Sequence, residues 1–361
     1  MIAYKNDSVE LYLCYVPNTT PYKRKKLTYA GTIDRISTVY NAMDNKNTQT
    51  ESEQVKVIIH CLVYNHGPYL RDCLEGFVMQ QTNFPFKAVV HDDCSTDNSA
   101  AIIREYAEKY PHIIEPIYET ENQWRKGTLD GIMYGAILGR SPYVAYCEGD
   151  DYWIDPHKLK KQVDFLDTNP DYAMCFSSCE IKKEEEHLHT GLQNKLEEDK
   201  DFSASELMAT WCVPTASICA RETAINDKRI TQNDKRKACG DLFIVLTCAH
   251  HGKVRGMKDV MTVYRVNGGS VMQNKSDNRI RYEKRALLPH FNFIEEHYPL
   301  VDKKVLSVLR MQTYLSIAEN PLFPITERTT SLIKAAFVAP GALIKKTWTA
   351  LKLSTKRLIK R

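Results

Sequence analysis

The sequence predicts an α/β fold with a mostly parallel β-sheet flanked by helices. Apolar, β-branched runs alternate with helical patterns at a spacing of about 30 residues, which is typical of βαβ units. Several of these runs stop in polar or acidic clusters, at the strand ends where such sheets bind ligands. A chain of 361 residues, 43% hydrophobic and 26% charged, has enough apolar material for a large core.

The first two βα units account for residues 55–107. Residues 55–64 form an almost continuous apolar run, as expected of a strand buried on both faces. The sequence Asn-His-Gly-Pro ends this strand, and apolar residues at helical spacing over 70–78 predict a helix. Residues 86–92 predict a second strand, which leads through turn and helix-capping residues into a helix around 101–107.

Two further strands complete this half of the pattern. Residues 113–118 predict the third strand, residues 126–138 a helix, and residues 141–151 a fourth strand that stops in acidic residues. Because the carboxyl ends of parallel strands share one edge of a sheet, we expect the polar clusters after the strands to lie together.

Beyond Trp153 the alternation is less regular, which predicts a mixed region followed by helices. The predicted elements are a helix around 159–166, strands at 172–178, 214–221 and 260–266, a charged hairpin or loop at 182–201, a helix at 241–251, and helices over 279–320. We therefore divide the chain into an N-terminal extension and linker (1–54), an α/β domain (55–275, with halves 55–153 and 154–275), a helical region (276–324) and a basic amphipathic tail (325–361).

Three carboxylates, Glu148, Asp150 and Asp151, follow the fourth predicted strand. Like charges at this spacing repel each other, and a divalent cation is the usual means of neutralising them. Mg²⁺ or Mn²⁺ commonly takes one or two carboxylates and completes its coordination with waters and substrate phosphates. Gly149 leaves room for the close approach of backbone or ligand. The sequence therefore predicts a Mg²⁺ or Mn²⁺ site here; the alternative is a solvated acidic turn that caps the next helix.

A second pair of carboxylates, Asp92 and Asp93, follows the second predicted strand. Either could cap the next helix, but neighbouring Ser and Asp residues would serve as well, so two carboxylates exceed what capping needs. A carboxylate that accepts a hydrogen bond from an imide N–H is suited to recognise uracil or a similar base. Tyr64 and Asn65, at the end of the first strand, are expected to form another wall of the same site.

Asp241 stands at the start of an apolar helix. A single carboxylate that reaches into a cleft is suited to deprotonate a hydroxyl group as a general base. The alternative interpretation is that Asp241 only caps the helix, which is the commonest role of Asp at this position.

Several segments resemble the inverting family 2 glycosyltransferases, which have the GT-A fold. Residues 57–81, 88–99 and 146–166 resemble the nucleotide-sugar-binding half, and the runs at 213–222, 239–246 and 260–271 resemble the acceptor half. Leu62 stands where the family pattern usually has Pro, and Cys94 where it usually has Gly. The resemblance covers roughly residues 55–275, so residues 55–153 are predicted to bind the donor and 154–275 the acceptor.

The resemblance implies a role for each strand-end carboxylate. Tyr64 and Asp93, with Asp92, correspond to contacts of the nucleotide base. Asp150 and Asp151 correspond to the ribose and metal contacts, while Glu148 takes the first place of the family's Asp-x-Asp pattern. Three further donor contacts are predicted without the resemblance. Position at the end of the first strand predicts Asn65, and positive charge predicts Arg125 and Lys126, which would meet the diphosphate. The predicted nucleotide-sugar contacts are thus Tyr64, Asn65, Asp92, Asp93, Arg125, Lys126 and Asp150, and the predicted metal ligands are Glu148, Asp150 and Asp151.

Asp241 corresponds in this resemblance to the catalytic base, although many relatives have an acidic residue where Gly240 stands. His251 and Arg265 are further candidates for the cleft. The implied enzyme is a metal-dependent, inverting glycosyltransferase that uses a nucleotide-diphosphate sugar, expected to be a UDP-sugar. The implied acceptor is a glycan or a lipid-linked glycan, such as a bacterial surface polysaccharide precursor.

Two rival functions remain open at this stage. A nucleotidyltransferase that makes nucleotide sugars has a similar sheet, but it normally carries a glycine-rich phosphate loop after the first strand, where only Gly67 is present. A protein that binds sugar nucleotides without turnover would not need both the acidic pair Asp150 and Asp151 and the candidate base Asp241.

Composition predicts a cytoplasmic protein with a basic tail. The first residues do not resemble a signal peptide, no apolar run is long enough to cross a bilayer, and the 11 Cys show no paired framework, which indicates reduced thiols. Residues 325–361 contain nine Lys or Arg and one Glu, in a pattern typical of a helix that lies on anionic lipid at the inner face of the cell membrane. A solvated basic helix is the alternative. The remainder is net acidic, which disfavours nucleic acid as a partner.

Overall fold

The computed structural model describes residues 2–5, 8–11, 54–184, 188–210, 213–231, 234–237, 240–267 and 277–342. The chain divides into two compact units, residues 1–52 and residues 53–361. In the first unit, β1 (Ile2–Lys5) and β2 (Ser8–Leu11) form a two-stranded antiparallel sheet. The predicted linker lies mostly outside the described residues, and the predicted domain boundaries stay predictions.

The second unit alternates strands and helices up to residue 168 and becomes less regular afterwards. Its strands are β3 (Val57–Val63), β4 (Phe86–Asp92), β5 (Ile114–Tyr118), β6 (Tyr143–Tyr146), β7 (Tyr152–Trp153), β8 (Tyr172–Lys183), β9 (Leu188–Leu192), β10 (Lys200–Phe202), β11 (Cys219–Arg221) and β12 (Lys253–Val266). Its helices are α1 (Leu70–Val78), α2 (Ser99–Lys109), α3 (Gln123–Lys126), α4 (Leu129–Ile137), α5 (Lys158–Thr168), α6 (Ala204–Thr210), α7 (Glu222–Ile225), α8 (Lys228–Thr231), α9 (Gly240–His251), α10 (Asp277–His297), α11 (Lys303–Glu319) and α12 (Ile325–Val338).

The strands of this unit form one mostly parallel sheet, as predicted. Its order is β10-β12-β8-β11-β6-β3-β4-β5, with β7 paired to β12 and β9 paired to β8. Strands β3, β4, β5 and β6 are mutually parallel, and β11 runs antiparallel between β6 and β8. Alternate residues of β3 enter different apolar clusters, for example Ile58 in one and Ile59 in the other, because side chains alternate between the two faces of a strand. The sheet is therefore buried on both faces.

Two elements of the donor half differ from the prediction. The fourth strand ends at Tyr146 rather than in the acidic residues, because Gly149 N–H donates to Leu62 O at 3.0 Å and Asp151 N–H turns back to Glu148 O at 3.1 Å. The helix predicted at 126–138 is divided into α3 and α4, because Gly127 adopts a left-handed conformation with φ of 73°. The acidic residues thus lie in a turn, and α3 is an independent short helix.

The acceptor half keeps the predicted element types but extends two of the strands. β8 and β12 pair in parallel over most of their length, with register shifts near Met257 and Val260. The charged segment after residue 182 forms a hairpin with β8, although residues 185–187 lie outside the described range. A 3-10 turn at Thr215–Ser217 replaces the start of the strand predicted at 214–221. Sequence periodicity missed the full length of β8 and β12 because long-range pairing, rather than local propensity, extends them.

The helices predicted over 279–320 are present as α10 and α11, with a break at residues 298–302. α11 and α12 pack through a small cluster of Met311, Leu315 and Ala335. No helix within the described ranges combines the length and apolar character that a membrane span requires.

Candidate active site

The polar clusters that follow β3, β4 and β6 lie at one edge of the sheet, as predicted. Val63 pairs with Asp92, so β3 and β4 end at the same level. Strand β6 ends at Tyr146 beside His60, three residues earlier along β3, and residues 147–149 continue past this point. Asp93 N–H then donates to Val63 O at 2.9 Å, which joins the two strand ends directly. The carboxyl edge of the sheet is therefore the place where the candidate residues of the donor half meet.

Residues 148–151, the acidic loop, are held tightly against β3 and α1. Gly149 is buried, and a Cβ atom at this position would lie 2.9 Å from both His66 Nδ1 and Val63 Cγ2. A larger residue would push the loop away from the strand end, because contacts this short do not occur between real Cβ atoms and their neighbours. The glycine predicted to allow a close approach is required here by the protein's own packing.

Electrostatics in the acidic loop show that a carboxylate from a distant part of the chain lies nearby. Burial, together with Asp150 and Asp241, raises the pKa of Glu148 to about 8. Burial, together with the acidic loop and Asp241, also raises the pKa of Tyr264 to about 12. Asp241 is half-buried in the first turn of α9, where its Oδ1 accepts from Leu242 N–H at 2.8 Å. The structure thus brings Asp241 within electrostatic range of the acidic loop.

Asp150 and Asp151 differ in how their oxygens are engaged. Asp151 is 4% exposed, its Oδ1 accepts from Arg265 N–H at 2.9 Å, and burial with the neighbouring Asp150 charge raises the pKa of its carboxyl. Asp150 is partly exposed, and its Oδ2 accepts from Asn267 Nδ2 at 3.2 Å. The other oxygen, Oδ1, lies 3.9 Å from His66 Nε2. Asp150 is therefore the more accessible of the two to a ligand at the strand ends.

Arg265 of β12 contacts the acidic loop and holds it in position. Its side chain is 1% exposed, and its guanidinium donates to Asp150 O at 2.9 Å and to Glu184 Oε1 at 2.6 Å. It also forms an ion pair with Asp72 of α1 and lies 4.2 Å from the centre of the Tyr152 ring. Arg265 thus joins β12, α1 and the end of β8 to one loop. The sequence suggested a cleft residue, whereas the geometry is that of a positioning residue.

The pair Asp92 and Asp93 is divided between two roles. Asp93 is 1% exposed, and its two oxygens accept from the backbone N–H groups of Gln123 at 2.6 Å and Trp124 at 3.1 Å. Asp92 is 3% exposed, its Oδ1 has no hydrogen-bond partner within the described part of the chain, and burial raises the pKa of its carboxyl. Asp93 therefore holds the start of α3, and Asp92 keeps an oxygen available for a hydrogen bond.

The remaining predicted donor contacts surround these carboxylates. Tyr64 is partly exposed directly after β3. Asn65 adopts a φ of 55°, and its Oδ1 accepts from Thr96 N–H at 2.7 Å, so its amide also stabilises the loop after β4. Arg125 and Lys126 are exposed on α3, where Lys126 pairs with Glu121. Because Asp93 fixes α3, both cations lie in a helix attached to the strand edge.

Sequence reasoning did not identify three residues at this site. His66 lies near Asp150, Asn267 bonds Asp150, and Tyr264 faces the charges of the acidic loop. Asn267 follows two residues after Arg265, at the spacing that places side chains on one face of a strand, which was the available signal. His251, by contrast, pairs with Asp227 at 2.8 Å.

The donor set at this edge fits a divalent cation that also binds substrate phosphates. Within the described ranges, no three His, Cys, Asp or Glu side chains converge in the way that a site built by protein alone requires. Mg²⁺ and Mn²⁺ commonly take only one or two carboxylates when phosphates complete the coordination. Asp150, with its accessible oxygen, and Glu148, whose pKa is raised by burial and by the charges of Asp150 and Asp241, supply those two groups.

Part of the sequence is similar to known proteins of one family. Residues 58–227 match the family described as glycosyl transferase family 2. A Mycobacterium bovis protein described as uncharacterized is 32% identical over 224 residues, 62% of this chain and 62% of that protein. The chain thus spans less than two thirds of the length of this relative. The Escherichia coli enzyme named UDP-Glc:α-D-GlcNAc-diphosphoundecaprenol β-1,3-glucosyltransferase WfaP is 26% identical over 231 residues, 63% of this chain and 84% of the enzyme.

Solved structures show the same fold at low sequence identity. Residues 1–349 of S. aureus TarS, solved with UDP, align with a TM-score of 0.55 and 16% identity over 79% of this chain and 81% of that one. The Pyrobaculum calidifontis mannosyltransferase PcManGT, solved with GDP-Man and Mn²⁺, aligns with a TM-score of 0.50 and 17% identity over 90% of each chain. The predicted fold class is confirmed. Residues 58–227 are therefore similar to glycosyltransferase family 2, and they lie within a GT-A fold.

Proposed function

We propose that this protein is an inverting glycosyltransferase that moves a sugar from a nucleotide-diphosphate donor to a hydroxyl group of a glycan or lipid-linked glycan. The donor is expected to be a UDP-sugar. The similarity to WfaP, whose name specifies UDP-Glc and a diphosphoundecaprenol-linked acceptor, supports both halves of the proposal.

The observation that carries the proposal is the proximity of Asp241 to the acidic loop. Asp241 begins α9, whereas Glu148 and Asp150 follow β6, more than 90 residues earlier in the chain. Burial raises the pKa of Glu148, and the charges of Asp150 and Asp241 add to that rise. A glycosyl transfer needs charge control at the leaving diphosphate and a base at the acceptor hydroxyl, and these carboxylates supply groups of both kinds within one region.

The donor would bind across the strand ends. The Oδ1 of Asp92, which is buried and has no hydrogen-bond partner within the described residues, would accept from an N–H of the base, and the partly exposed Tyr64 ring would contact the base. Asp93 and Asn65 would act by shaping the surrounding loops, and Arg125 with Lys126 would meet the diphosphate from α3. Asp150 would bind the cation, with Glu148 as the second ligand and the buried Asp151 fixing the loop.

The reaction follows from these positions. A bound Mn²⁺ or Mg²⁺ supplies positive charge to the phosphates and so makes the nucleoside diphosphate a better leaving group. Asp241 accepts the proton of the acceptor hydroxyl while that oxygen attacks the anomeric carbon opposite the departing diphosphate. One displacement inverts the configuration at the anomeric carbon. No protein acid is needed for the leaving group, which is where this arrangement differs from a glycoside hydrolase.

A donor screen tests the proposal. Incubation of the full chain with a panel of nucleotide sugars, Mn²⁺ and candidate glycan acceptors should release a nucleoside diphosphate and yield a glycosylated product of inverted configuration by mass spectrometry and NMR. Release of pyrophosphate from a nucleoside triphosphate would indicate a nucleotidyltransferase. Donor binding with no product across the panel would indicate a sugar-nucleotide-binding protein without turnover.

Cation binding is expected to depend on pH through Glu148. Its pKa of about 8 means that the cation-free carboxyl is mostly protonated at neutral pH, and a metal ligand must lose that proton. Affinity for Mn²⁺ in the presence of UDP should therefore rise between about pH 6 and pH 8, level off above that, and be accompanied by proton release.

Isothermal titration calorimetry in buffers of different ionisation enthalpy measures both effects. The variant Glu148→Gln should lose the proton release and the pH dependence. The exposed Glu197→Gln, which alters a surface pair with Lys195, serves as the matched control and should leave both unchanged. An unaltered pH dependence in Glu148→Gln would exclude Glu148 as a ligand.

We also propose that the protein acts at the inner face of the cell membrane, where a lipid-linked acceptor would be available. The sequence prediction for the tail concerns residues 325–361, and residues 343–361 lie outside the described range.

A further inference from the structure

The outer face of α12, formed by Ile325, Leu332, Ile333 and Phe337, exposes large apolar side chains. Their exposed fractions are 70%, 53%, 53% and 82%. At 3.6 residues per turn these side chains lie on one side of the helix, and the positions between them are Thr326, Thr329 and Ala336. This side therefore carries no charge over the whole length of α12, unlike scattered exposed apolar residues, which are normal on protein surfaces.

The inner face of α12 is made of small residues. Ser331 and Ala335 are buried, and Ala335 packs against Met311 and Leu315 of α11. A surface helix of a globular protein normally turns its largest apolar residues toward the core. α12 does the reverse, so its apolar side chains are available to something other than the described part of this chain.

One edge of the outer face is polar and basic. Lys334 lies beside it, with its Nζ 5.8 Å from the centre of the Tyr314 ring. A cavity of about 440 Å³ between α10, α11 and α12 opens along the same edge. Its polar lining comes from Arg285, Tyr314, Thr326, Glu327, Thr330, Ser331 and Lys334. Hydroxyl groups and a lysine beside exposed apolar side chains form the kind of boundary that lipid head groups meet.

We infer that the outer face of α12 docks on an anionic lipid surface, with its apolar side chains at the level of the head groups. The charge of the following sequence supports this occupant, because residues 343–361 contain seven Lys or Arg and no acidic residue. Each basic residue near an anionic surface adds to the attraction. The docking itself does not depend on the proposed function. Only its purpose rests on that function, namely that docking would bring the active site to a lipid-linked acceptor.

A second copy of the chain is a less favourable occupant of this face. Parallel pairing of two α12 helices would bring together two copies of the basic sequence that follows them, and like charges repel. Antiparallel pairing would separate the two copies but would give neither of them a partner of opposite charge on α12, whose outer face is uncharged. An anionic bilayer offers the opposite charge to the same sequence.

Co-sedimentation of the full chain with vesicles tests the inference. Vesicles that contain phosphatidylglycerol should bind the protein, and binding should weaken with salt and in pure phosphatidylcholine vesicles. The triple variant Leu332→Gln/Ile333→Gln/Phe337→Gln keeps good helix-forming residues at exposed positions, so its thermal unfolding should match the wild type. Its partition onto anionic vesicles should fall about tenfold or more.

Leu300→Gln is the matched control, because Leu300 is 56% exposed but lies between α10 and α11. Its vesicle binding should equal that of the wild type. Equal binding by the triple variant would overturn the inference. The inference would also be overturned if the wild type did not bind vesicles but formed a dimer in sedimentation velocity, and if the triple variant did not form that dimer. UDP binding with Mn²⁺ is measured in parallel: its failure would remove the proposed function while leaving a positive vesicle result intact.

Discussion

Asp241→Asn is expected to lower the rate of sugar transfer about 10²–10⁴-fold while donor binding stays near that of the wild type. The amide cannot accept a proton from the acceptor hydroxyl, whereas the carboxylate can. Donor affinity should change little, because the proposed donor contacts lie at the ends of β3, β4 and β6 and not on α9. The loss should therefore fall on kcat in steady-state kinetics, with UDP affinity by calorimetry as the comparison.

This substitution also separates catalysis from helix capping. Asn caps a helix about as well as Asp, so a purely capping role for Asp241 predicts that Asp241→Asn keeps both its stability and its activity. Asp302 is the matched control, since it is the N-cap of α11 and its Oδ1 accepts from Lys304 N–H at 2.7 Å. Asp302→Asn should leave transfer unchanged. Full transfer by Asp241→Asn would remove Asp241 from the catalytic role.

The edge of the sheet where the site lies was predictable from the sequence because each signal was local. The runs of β3 and β4 are mostly apolar and end directly in their polar residues, so strand type and strand end could be assigned together. Parallel pairing then required the ends to share one edge. The relation of Asp241 to that edge had no local signal and depended on the family resemblance.

What Asp93 and Arg265 do could not be predicted, because their partners are distant in sequence. The N–H groups that Asp93 accepts from belong to Gln123 and Trp124, about 30 residues further along the chain, while the sequence suggested a contact of the nucleotide base or a cap for α2. Arg265 stands in an apolar strand pattern where an arginine would be expected to point toward solvent, since arginine is rarely buried without partners. Its partners come from α1, the acidic loop and the end of β8, and only the tertiary structure brings them together.

Arg265→Ala is expected to destabilise the protein by about 3 kcal/mol, the lower end of the usual cost of removing one partner from a buried charge pair, because Glu184 is mostly buried but Asp72 is 61% exposed. The arginine side chain is 1% exposed, and its positive charge offsets part of the rise that burial and the charges of the acidic loop cause in the pKa of the Asp151 carboxyl. Without it, Glu184 and the backbone oxygen of Asp150 lose their guanidinium donors, and the acidic loop keeps its negative charges with less compensation. Chemical denaturation, with the free energy of unfolding extrapolated to water, measures the loss.

Arg255→Ala is the matched control for this prediction. Arg255 lies on the same strand, where it pairs with Asp201 at 2.9 Å and bonds the Tyr172 hydroxyl at 2.8 Å, away from the acidic loop. Its side chain is 23% exposed, so its removal should cost less.

Measurement of cation binding distinguishes a role of Arg265 in positioning the acidic loop from a role in stability alone. Arg265→Lys keeps the charge but not the forked geometry that reaches Glu184 and Asp150 together, so it should recover part of the stability and still bind Mn²⁺ and UDP more weakly than the wild type. Arg255→Ala should bind both ligands normally. Binding is measured on folded Arg265→Lys, at a temperature well below its unfolding transition. If this variant bound Mn²⁺ and UDP as tightly as the wild type, Arg265 would stabilise the core and would not position the acidic loop.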